Sequence, residues 1–410
     1  MWGICMRYLS ETDGIGIGFV PSSSNFFVEE ITKEGNVLTL DEKMEAVAPA
    51  SAGAKFTHFI LQKKDWSTLG AEMEIARRLH ISPKRLSHAG VKDKNAMTVQ
   101  LESAFAVEPE KVLSLHIKDM EINGAWLADE QVRMGDLQGN RFTVKIGGGE
   151  GTGEKVQEIY SELDGVFPNY FGTQRFGSMR ENTHIVGKMM LKGDFEGAVG
   201  EYLCGTQNER DEKSVIARKN LLATGNYGQA LREFPHHLKY ERTMAAHLAS
   251  LPHDFVGALQ RIPRGLSLMF VHAYQSYLFN LMLEERVKRR DFTAMEGEHY
   301  CGKNEFGFAD TEVKAVGREG KDSFLVCKLL GYETKEEELN EIEKEVLERE
   351  GIALENFRLK KFAALSSKGG ERCALAPLVD FSFKEGVFSF SLQKGAYATV
   401  ALGEFLESKV

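Results

Sequence analysis

Apolar and polar residues alternate with a period of two near both ends of the chain. FTHFILQ (56–62) is rich in residues typical of strands, and RFTVKI (141–146) places every second side chain on one side. VFSFSL (387–392) repeats the alternation, with Phe388, Phe390 and Leu392 on the side expected to be buried. Strands with one polar face predict a mixed or antiparallel sheet, because the strands of a doubly wound parallel sheet are apolar on both faces.

Other stretches follow a helical period. Residues 264–290 keep this period over a long run and end in basic residues, which favour a helix C-terminus. Residues 67–81 predict a shorter helix whose inner face would carry Leu69, Met73, Ala76 and Leu79.

Residues 334–351 predict another helix with signals at both ends. Thr334 and Glu337 have the spacing of a capping box, and Gly351 supplies a stop. The apolar stripe of this helix consists of Leu339, Ile342, Val346 and Leu347. The helical pattern dominates from about residue 181, and the C-terminal residues return to the strand pattern. The sequence therefore predicts a helical domain inserted into a sheet-containing one.

Composition narrows the class of protein. The 410 residues are 42% hydrophobic and 27% charged, which is ordinary for a globular protein. No run approaches the roughly 18 apolar residues of a membrane span, and the N-terminal residues lack the pattern of a secretion signal. The five cysteines are widely spaced and odd in number, and no Cys/His pair has metal-site spacing. We therefore expect a cytoplasmic protein with no disulfide, structural zinc or membrane contact.

The net charge of −9 would argue against a nucleic-acid partner if the charge were evenly spread, but it is not. Residues 77–94 contain six Lys or Arg and a single Asp. Residues 336–350 contain eight Glu against one Lys and one Arg. One acidic helix thus accounts for most of the imbalance, and the region before residue 95 is locally basic.

HAGVKDKNAMTVQ (88–100) places Asp93 between Lys92 and Lys94, close to a glycine. An isolated Lys-Asp-Lys is usually a turn aspartate that is hydrogen-bonded to its own backbone. Here Gly90 permits a tight turn, and small neighbours leave room for a substrate. The lysines would keep the carboxylate ionised and attract an anionic backbone. Asp93 is therefore a candidate nucleophile or base beside a phosphate-bearing substrate.

FPNYFGTQRFG (167–177) interleaves aromatic residues with Asn169, Gln174 and Arg175. Aromatic faces stack on bases, amides bind base edges, and arginine binds phosphate, so the stretch is a candidate RNA contact. An aromatic core strand with turn glycines has a similar composition. Aromatic density alone does not separate the two interpretations.

Together these stretches resemble the TruD-type tRNA pseudouridine synthase family. The family shows an AG-x-KD-x-x-A-x-T-x-Q block, matched by residues 89–100, and NYFG-x-QRFG, matched by residues 169–177. Shorter matches follow in the family's order: FFVEEI (26–31), GNRF (139–142), AYQSYLFN (273–280) and GAYATVALGEF (395–405).

The resemblance implies an α+β protein with a pseudouridine synthase fold. Its mixed, largely antiparallel β-sheet would be flanked by helices, with a helix-rich inserted TRUD domain. The catalytic domain would consist of residues 1–180 and the C-terminal strands in 372–410, and the insert would span 181–371.

The resemblance also implies an isomerase that converts uridine to pseudouridine in tRNA, typically at position 13 of the D arm, without a cofactor or metal. We expect a monomer. A stacked uridine cannot present its glycosidic bond to a carboxylate, so the nucleotide must be flipped out. Asp93 matches the catalytic aspartate, which would either attack the ribose or take a sugar proton. The sequence leaves both routes open.

The resemblance assigns further residues to the substrate. Phe171 matches the aromatic that stacks on the flipped base, and Asn169 matches a residue that hydrogen-bonds near it. Tyr397 falls where another pocket aromatic is expected. Lys92 and Arg175 complete the expected substrate-binding residues.

One position departs from the family pattern. Members usually carry Lys or Arg a few residues before the F-x-V-x-E strand, and this residue pairs with the catalytic aspartate. Here the position holds Val20, and residues 8–32 contain no Lys or Arg. Either Lys92, Arg175 or another basic residue then pairs with Asp93, or activity is weakened.

Two other function classes are alternatives to this one. Val20 favours an RNA-binding protein, such as a tRNA chaperone, that has kept the pocket without the chemistry. A metal-dependent hydrolase is disfavoured, because no carboxylate or thiol cluster accompanies His236, His237 and His247.

Overall fold

The structure is a computed structural model, and it describes residues 6–45, 50–147, 149, 151–177, 179–314 and 322–407. The strands are β1 (Phe26–Thr32), β2 (Phe56–Lys64), β3 (Leu86–His88), β4 (Met97–Phe105), β5 (Met120–Ala128), β6 (Leu137–Lys145), β7 (Val166–Pro168), β8 (His299–Lys303), β9 (Ala309–Lys314), β10 (Phe324–Leu329), β11 (Gly370–Cys373), β12 (Leu375–Pro377), β13 (Val379–Lys384) and β14 (Val387–Gln393). The helices are α1 (Thr68–Arg78), α2 (Pro109–Leu113), α3 (Thr152–Leu163), α4 (Thr183–Leu191), α5 (Phe195–Cys204), α6 (Glu212–Thr224), α7 (Tyr227–Glu233), α8 (Lys239–Ser250), α9 (Phe255–Gln260), α10 (Arg264–Arg289), α11 (Glu341–Glu350) and α12 (Ala398–Leu406).

The chain divides into two compact units. The sheet unit consists of residues 8–168, 303–313 and 375–410, and the helical unit consists of residues 1–7, 169–302 and 314–374. The helical unit therefore begins earlier than the residue 181 expected for an inserted domain, and it ends slightly later than residue 371. The early start has a physical cause, because Phe171 hydrogen-bonds to Asn280 in α10 of the same unit.

The sheet unit is built on one sheet with the strand order β13-β14-β6-β1-β4-β2-β5, and β3 pairs with β4. β1 and β4 run parallel, whereas β1–β6, β6–β14, β13–β14, β2–β4, β2–β5 and β3–β4 are antiparallel pairs. This arrangement confirms the prediction of an α+β fold with a mixed, largely antiparallel sheet.

The predicted alternation places a row of aromatic rings inside the sheet unit. Phe388, Phe390 and Leu392 are buried, as predicted for β14. Phe390 lies opposite Phe142 in β6, and their ring centroids are 5.6 Å apart in a stacked arrangement. Phe142 also stacks on Phe26 of β1, with centroids 5.9 Å apart. The row therefore connects three neighbouring strands through side chains as well as through backbone hydrogen bonds.

The inner face of α1 differs from the prediction. Leu69 and Met73 are 61% and 64% exposed, so their expected burial is wrong. Ile75 and Ala76 pack into the core together with residues of β2, and Leu79 lies at the edge of this cluster. The physical reason is Glu72, which is buried because its Oε1 lies 2.7 Å from Nδ1 of His88 in β3. Ala71, Ile75 and Ala76 share the buried face with Glu72, so a polar residue with a buried partner helps to set the rotation of the helix.

The helical unit packs around α10, the long helix predicted at residues 264–290. α4 crosses it closely, and a Cβ added at Gly187 would lie only 2.0 Å from the carbonyl oxygen of Phe270. Glycine at this position is therefore required for the contact. α10 is the longest described helix, yet no helix in the described ranges is both long and apolar enough to cross a membrane.

α11 begins later than predicted. The capping box is formed by Asn340 and Glu343, so the assignment of Thr334 and Glu337 to this role is wrong. The Thr334 hydroxyl instead accepts a hydrogen bond from the Gly331 backbone N–H at 3.1 Å, in the preceding turn. The helix ends at Gly351 with φ of 59°, which confirms the predicted stop.

We expect the Phe390→Ala variant to lower the free energy of unfolding by about 3–5 kcal/mol, because it leaves a cavity within the aromatic row. Urea denaturation followed by circular dichroism measures the difference. Ser389→Ala on the same strand is the control, and it should stay within about 0.5 kcal/mol of the wild type. Equal stability of the two variants would show that the row does not contribute as described.

Candidate active site

Asp93 lies in the loop between β3 and β4, here called the Asp93 loop (residues 89–96). Ala89 and Ala96 at its two ends are buried, Asp93 is half-buried, and Lys94 is exposed. Inside the loop, the Lys92 backbone N–H donates to Oγ1 of Thr68 at 3.0 Å. The loop is thus anchored beside the start of α1, and the candidate aspartate directly follows the anchor.

The side chain of Lys92 points into the sheet unit. It is 5% exposed, and its ammonium group forms an ion pair with Oε2 of Glu30 in β1. The other carboxylate oxygen of Glu30 accepts a hydrogen bond from the Leu101 backbone N–H at 3.0 Å. Lys92 is an expected substrate-binding residue and one candidate partner of Asp93, whereas in the structure its charge is directed to a buried carboxylate.

A second lysine approaches the Asp93 loop from β2. The ammonium group of Lys63 lies 2.8 Å from the carbonyl oxygen of Trp66 and 3.3 Å from that of Asp93. The side chain is only 1% exposed, and burial lowers the pKa of Lys63 to about 8. Sequence reasoning missed this residue, because the predicted strand 56–62 ended one position before it.

The interior beside Lys63 is polar as well. Glu102 of β4 is fully buried, and burial is the main cause that raises its pKa well above the ordinary value, with the nearby Glu72 as the second cause. Gln100 donates to Oε1 of Glu102 at 3.1 Å, and Thr68 donates to Oε1 of Gln100 at 3.2 Å. A continuous set of hydrogen bonds therefore leads from Glu102 to the residue that anchors the Asp93 loop.

The helical unit contains the aromatic segment, here called the platform (residues 169–176), and α10 holds it by its backbone. Oδ1 of Asn280 accepts from the Phe171 backbone N–H at 2.8 Å, and Nδ2 of Asn280 donates to the Phe171 carbonyl oxygen at 2.9 Å. One amide side chain thus fixes both polar groups of the same residue. The Phe171 ring is half-buried and meets the ring of Phe279 edge-on, with centroids 5.6 Å apart.

Arg372 of β11 holds the platform from another direction. Its guanidinium donates to the carbonyl oxygen of Asn169 at 2.8 Å and to Oδ1 of Asn169 at 2.6 Å. The same group lies 4.0 Å from the centroid of the Phe171 ring, in a cation–π contact. One face of Phe171 is therefore covered by a cation of its own unit.

Asn169 is almost completely buried, and both ends of its amide bind within the helical unit. Its Nδ2 donates to the Cys373 carbonyl oxygen at 3.0 Å, and its Oδ1 accepts from Arg372. Arg175, also in the platform, donates through Nε to the hydroxyl of Ser276 at 3.0 Å. Its guanidinium carbon lies 5.6 Å from the Phe171 ring centroid.

The expected site residues fall into both units. Asp93, Lys92 and Tyr397 belong to the sheet unit, where Tyr397 is half-buried and directly precedes α12. Asn169, Phe171 and Arg175 belong to the helical unit. The residues that sequence reasoning missed are Glu30, Lys63, Asn280 and Arg372. Asn280 could have been found, since it closes the AYQSYLFN match.

The residues of the described ranges offer no group of three or more His, Cys, Asp or Glu arranged to hold a metal ion. Cys301 and Cys373 are far apart in sequence, yet their sulfur atoms lie 3.4 Å apart in the helical unit, as two thiols rather than as a disulfide. The strand pairing of β8, β10 and β11 brings them together.

Comparison with known proteins gives consistent matches over nearly the full chain. Residues 3–405 match the family model described as tRNA pseudouridine synthase D (TruD). A Methanosarcina acetivorans protein named "Probable tRNA pseudouridine synthase D" is 33% identical over 98% of this chain and 95% of its own length. One from Thermoplasma volcanium is 36% identical over 88% and 90%, respectively. A Methanosarcina mazei crystal structure named for tRNA pseudouridine synthase D has a TM-score of 0.75, with 32% identity over 98% of this chain and 96% of that one.

Replacing Lys92 by Met should lower the free energy of unfolding by about 3–5 kcal/mol, because Glu30 would remain buried without its cation. The control is Lys94→Met in the same loop, where the side chain is exposed and a change within about 0.5 kcal/mol is expected. Urea denaturation compares the two, and adding Glu30→Gln to Lys92→Met should recover part of the loss. A Lys92→Met protein as stable as Lys94→Met would contradict the buried pair.

Proposed function

The chain belongs to the tRNA pseudouridine synthase D (TruD) family, and from this premise we propose that it isomerises uridine 13 in the D arm of tRNA with Asp93 as the catalytic residue. It is an isomerase of the TruD type. The observation that carries the finer proposal is the position of Asp93. It lies in the matched block 89–100. Buried side chains of the same unit hold this loop in place.

The reaction moves one bond and is neutral in redox terms. The bond between N1 of uracil and C1′ of ribose breaks, and a bond between C5 and C1′ forms. C5 loses a proton and N1 gains one, so no atom is added or removed overall. Asp93 would start the reaction either by attacking C1′ or by removing a ribose proton, and both routes need an ionised carboxylate close to the sugar.

Phe171 would stack on the flipped base. The guanidinium groups of Arg372 and Arg175 lie 4.0 Å and 5.6 Å from the ring centroid, so the base would share the ring with these cations. Stacking on an aromatic side chain is worth about 1–3 kcal/mol per base, which offsets much of the cost of unstacking the uridine. Arg175 and Arg372 would also place positive charge where the RNA backbone approaches.

Asn169 and Lys92 would support the substrate indirectly. Both ends of the Asn169 amide are used by Arg372 and the Cys373 carbonyl group, so we propose that Asn169 orients the platform. Lys92 would orient Asp93 through its ion pair with Glu30. Tyr397 would contribute a further aromatic side chain to the nucleoside pocket.

We further propose that the sheet unit is the catalytic domain and that the helical unit is the inserted TRUD domain. The family resemblance and the position of residues 89–100 in the sheet unit support this assignment. The enzyme would act as a cytoplasmic monomer without a cofactor.

The Asp93→Asn variant should form no detectable pseudouridine in transcribed tRNA, because an amide can neither attack C1′ nor accept a ribose proton. Carbodiimide-dependent reverse-transcription stops locate the product, and the wild type should give a stop assigned to position 13. Wild-type protein that binds tRNA but forms no pseudouridine would favour the RNA-binding alternative. An active Asp93→Asn variant would show that another residue is catalytic, and a stop elsewhere would contradict position 13.

Removal of the stacking ring by Phe171→Ala should reduce kcat/KM by roughly 10- to 100-fold, within the 1–3 kcal/mol range of one stacked base. Phe171→Tyr keeps the ring and should retain most activity. Tyr240→Ala is a control for loss of an exposed aromatic residue in the same unit. Equal activity of the Phe171→Ala and Tyr240→Ala variants would contradict the stacking role.

A further inference from the structure

We infer that Lys63 is a positioning residue for Asp93: its buried ammonium group fixes the backbone of the Asp93 loop and places a positive charge close to this residue. The inference deepens the proposed function and rests on it, since it assumes that Asp93 is catalytic. It also identifies a residue that fills the place of the basic side chain missing at Val20.

The ammonium group of Lys63 connects two turns through hydrogen bonds. The side chain leaves β2 next to the end of the strand, and its Nζ donates to Trp66 O at 2.8 Å and to Asp93 O at 3.3 Å. Trp66 directly precedes the N-cap residue of α1, and Asp93 is the candidate catalytic residue itself. One ammonium group therefore joins the start of α1 to the middle of the Asp93 loop, and 30 residues separate its position from Asp93.

The charges around Lys63 come from several elements. β4 contributes Glu102, and the Asp93 loop contributes Asp93 and Lys92; these three groups act electrostatically on the pKa of Lys63. Further charged or titratable residues interact with these groups. Glu30 on β1 pairs with Lys92, Glu72 on α1 acts on Glu102, and His88 on β3 pairs with Glu72. The two carboxylates raise the pKa of Lys63 and Lys92 lowers it, but burial is the largest cause and the result is a pKa of about 8.

The neighbouring lysines do not have this position. The ammonium of Lys92 is paired with Glu30, and Lys94 is exposed to solvent. Lys64 follows Lys63 on the strand but points to the other face, where it is exposed. Lys63 is thus the cation of this strand that is both buried and within hydrogen-bond distance of Asp93.

Because the pKa of Lys63 is about 8, both activity and stability should change with pH in a direction that can be stated. Below pH 8 Lys63 is charged and donates to both carbonyl groups. Above pH 8 the charge is lost, so activity should fall on the alkaline side. The effect on stability has the opposite sign. Between about pH 8 and 10.5 the unfolded chain binds this proton more strongly than the folded chain does, so the contribution of Lys63 to the free energy of unfolding rises with pH.

The test measures single-turnover pseudouridine formation and tRNA binding between pH 6.5 and 9 for four proteins. Lys63→Met removes the charge, Lys63→Arg restores it without titrating in this range, and Lys64→Met is the matched exposed control. We expect Lys63→Met to lower the rate of the chemical step 10- to 100-fold with tRNA affinity within about twofold of the wild type. The wild type and Lys64→Met should lose activity above pH 8, whereas Lys63→Arg should not.

The outcomes separate this inference from the proposed function. Inactive Asp93→Asn together with a fully active Lys63→Met protein would overturn the role of Lys63 alone. Active Asp93→Asn would overturn the assignment of Asp93 itself. If the Lys63 variants do not fold, the wild-type profile decides by itself, and a rate constant that stays level from pH 7 to 9 would refute the inference.

Discussion

The buried ion pair between Lys92 and Glu30 is the interaction on which the geometry of the Asp93 loop depends. Glu30 lies in β1, and its second oxygen binds the backbone of Leu101 in β4, so the pair sits on the parallel strands of the sheet. Removing two charges from water costs several kcal/mol per ion, and the attraction offsets this only when further hydrogen bonds are made. The hydrogen bond from the Leu101 backbone N–H to Glu30 is such a bond, and it fixes the pair to the sheet.

The helical unit holds its platform by the same physical means. Arg372 and Asn280 bind the backbone of the platform, just as Lys63 binds the backbone of the Asp93 loop. A side chain that binds backbone groups fixes where a neighbouring Cα lies and leaves the choice of rotamer to the substrate. Both proposed substrate contacts, Asp93 and Phe171, are held in this manner.

The sequence allowed the prediction of those features that depend on neighbours in the chain. The alternation in β14, the long α10 and the glycine stop of α11 are local patterns, and the structure confirms them. The face of α1 could not be predicted in the same way, because its rotation depends on a partner of Glu72 in another strand. Arg372 is 203 residues away from Asn169, and no local pattern connects them. The family motifs contain the candidates Asp93 and Phe171. They contain neither Lys63 nor Arg372, which bind the same two segments.

The polar interior next to Asp93 lowers the stability of the sheet unit. Its position beside the Asp93 loop explains why these groups are buried there. Carboxylates of Glu30 and Glu102 and the ammonium groups of Lys63 and Lys92 occupy space where apolar side chains would give a more stable unit. Water in the same place would also solvate Asp93, but it would have to reorient as charge moves during the reaction. Fixed charges need no such reorganisation, and a dry environment strengthens their effect on a nearby carboxylate. Burial lowers the pKa of Lys63 and raises that of Glu102, so both groups lie closer to neutrality than on the surface. The interior is therefore a fixed set of polar and ionisable groups next to the Asp93 loop.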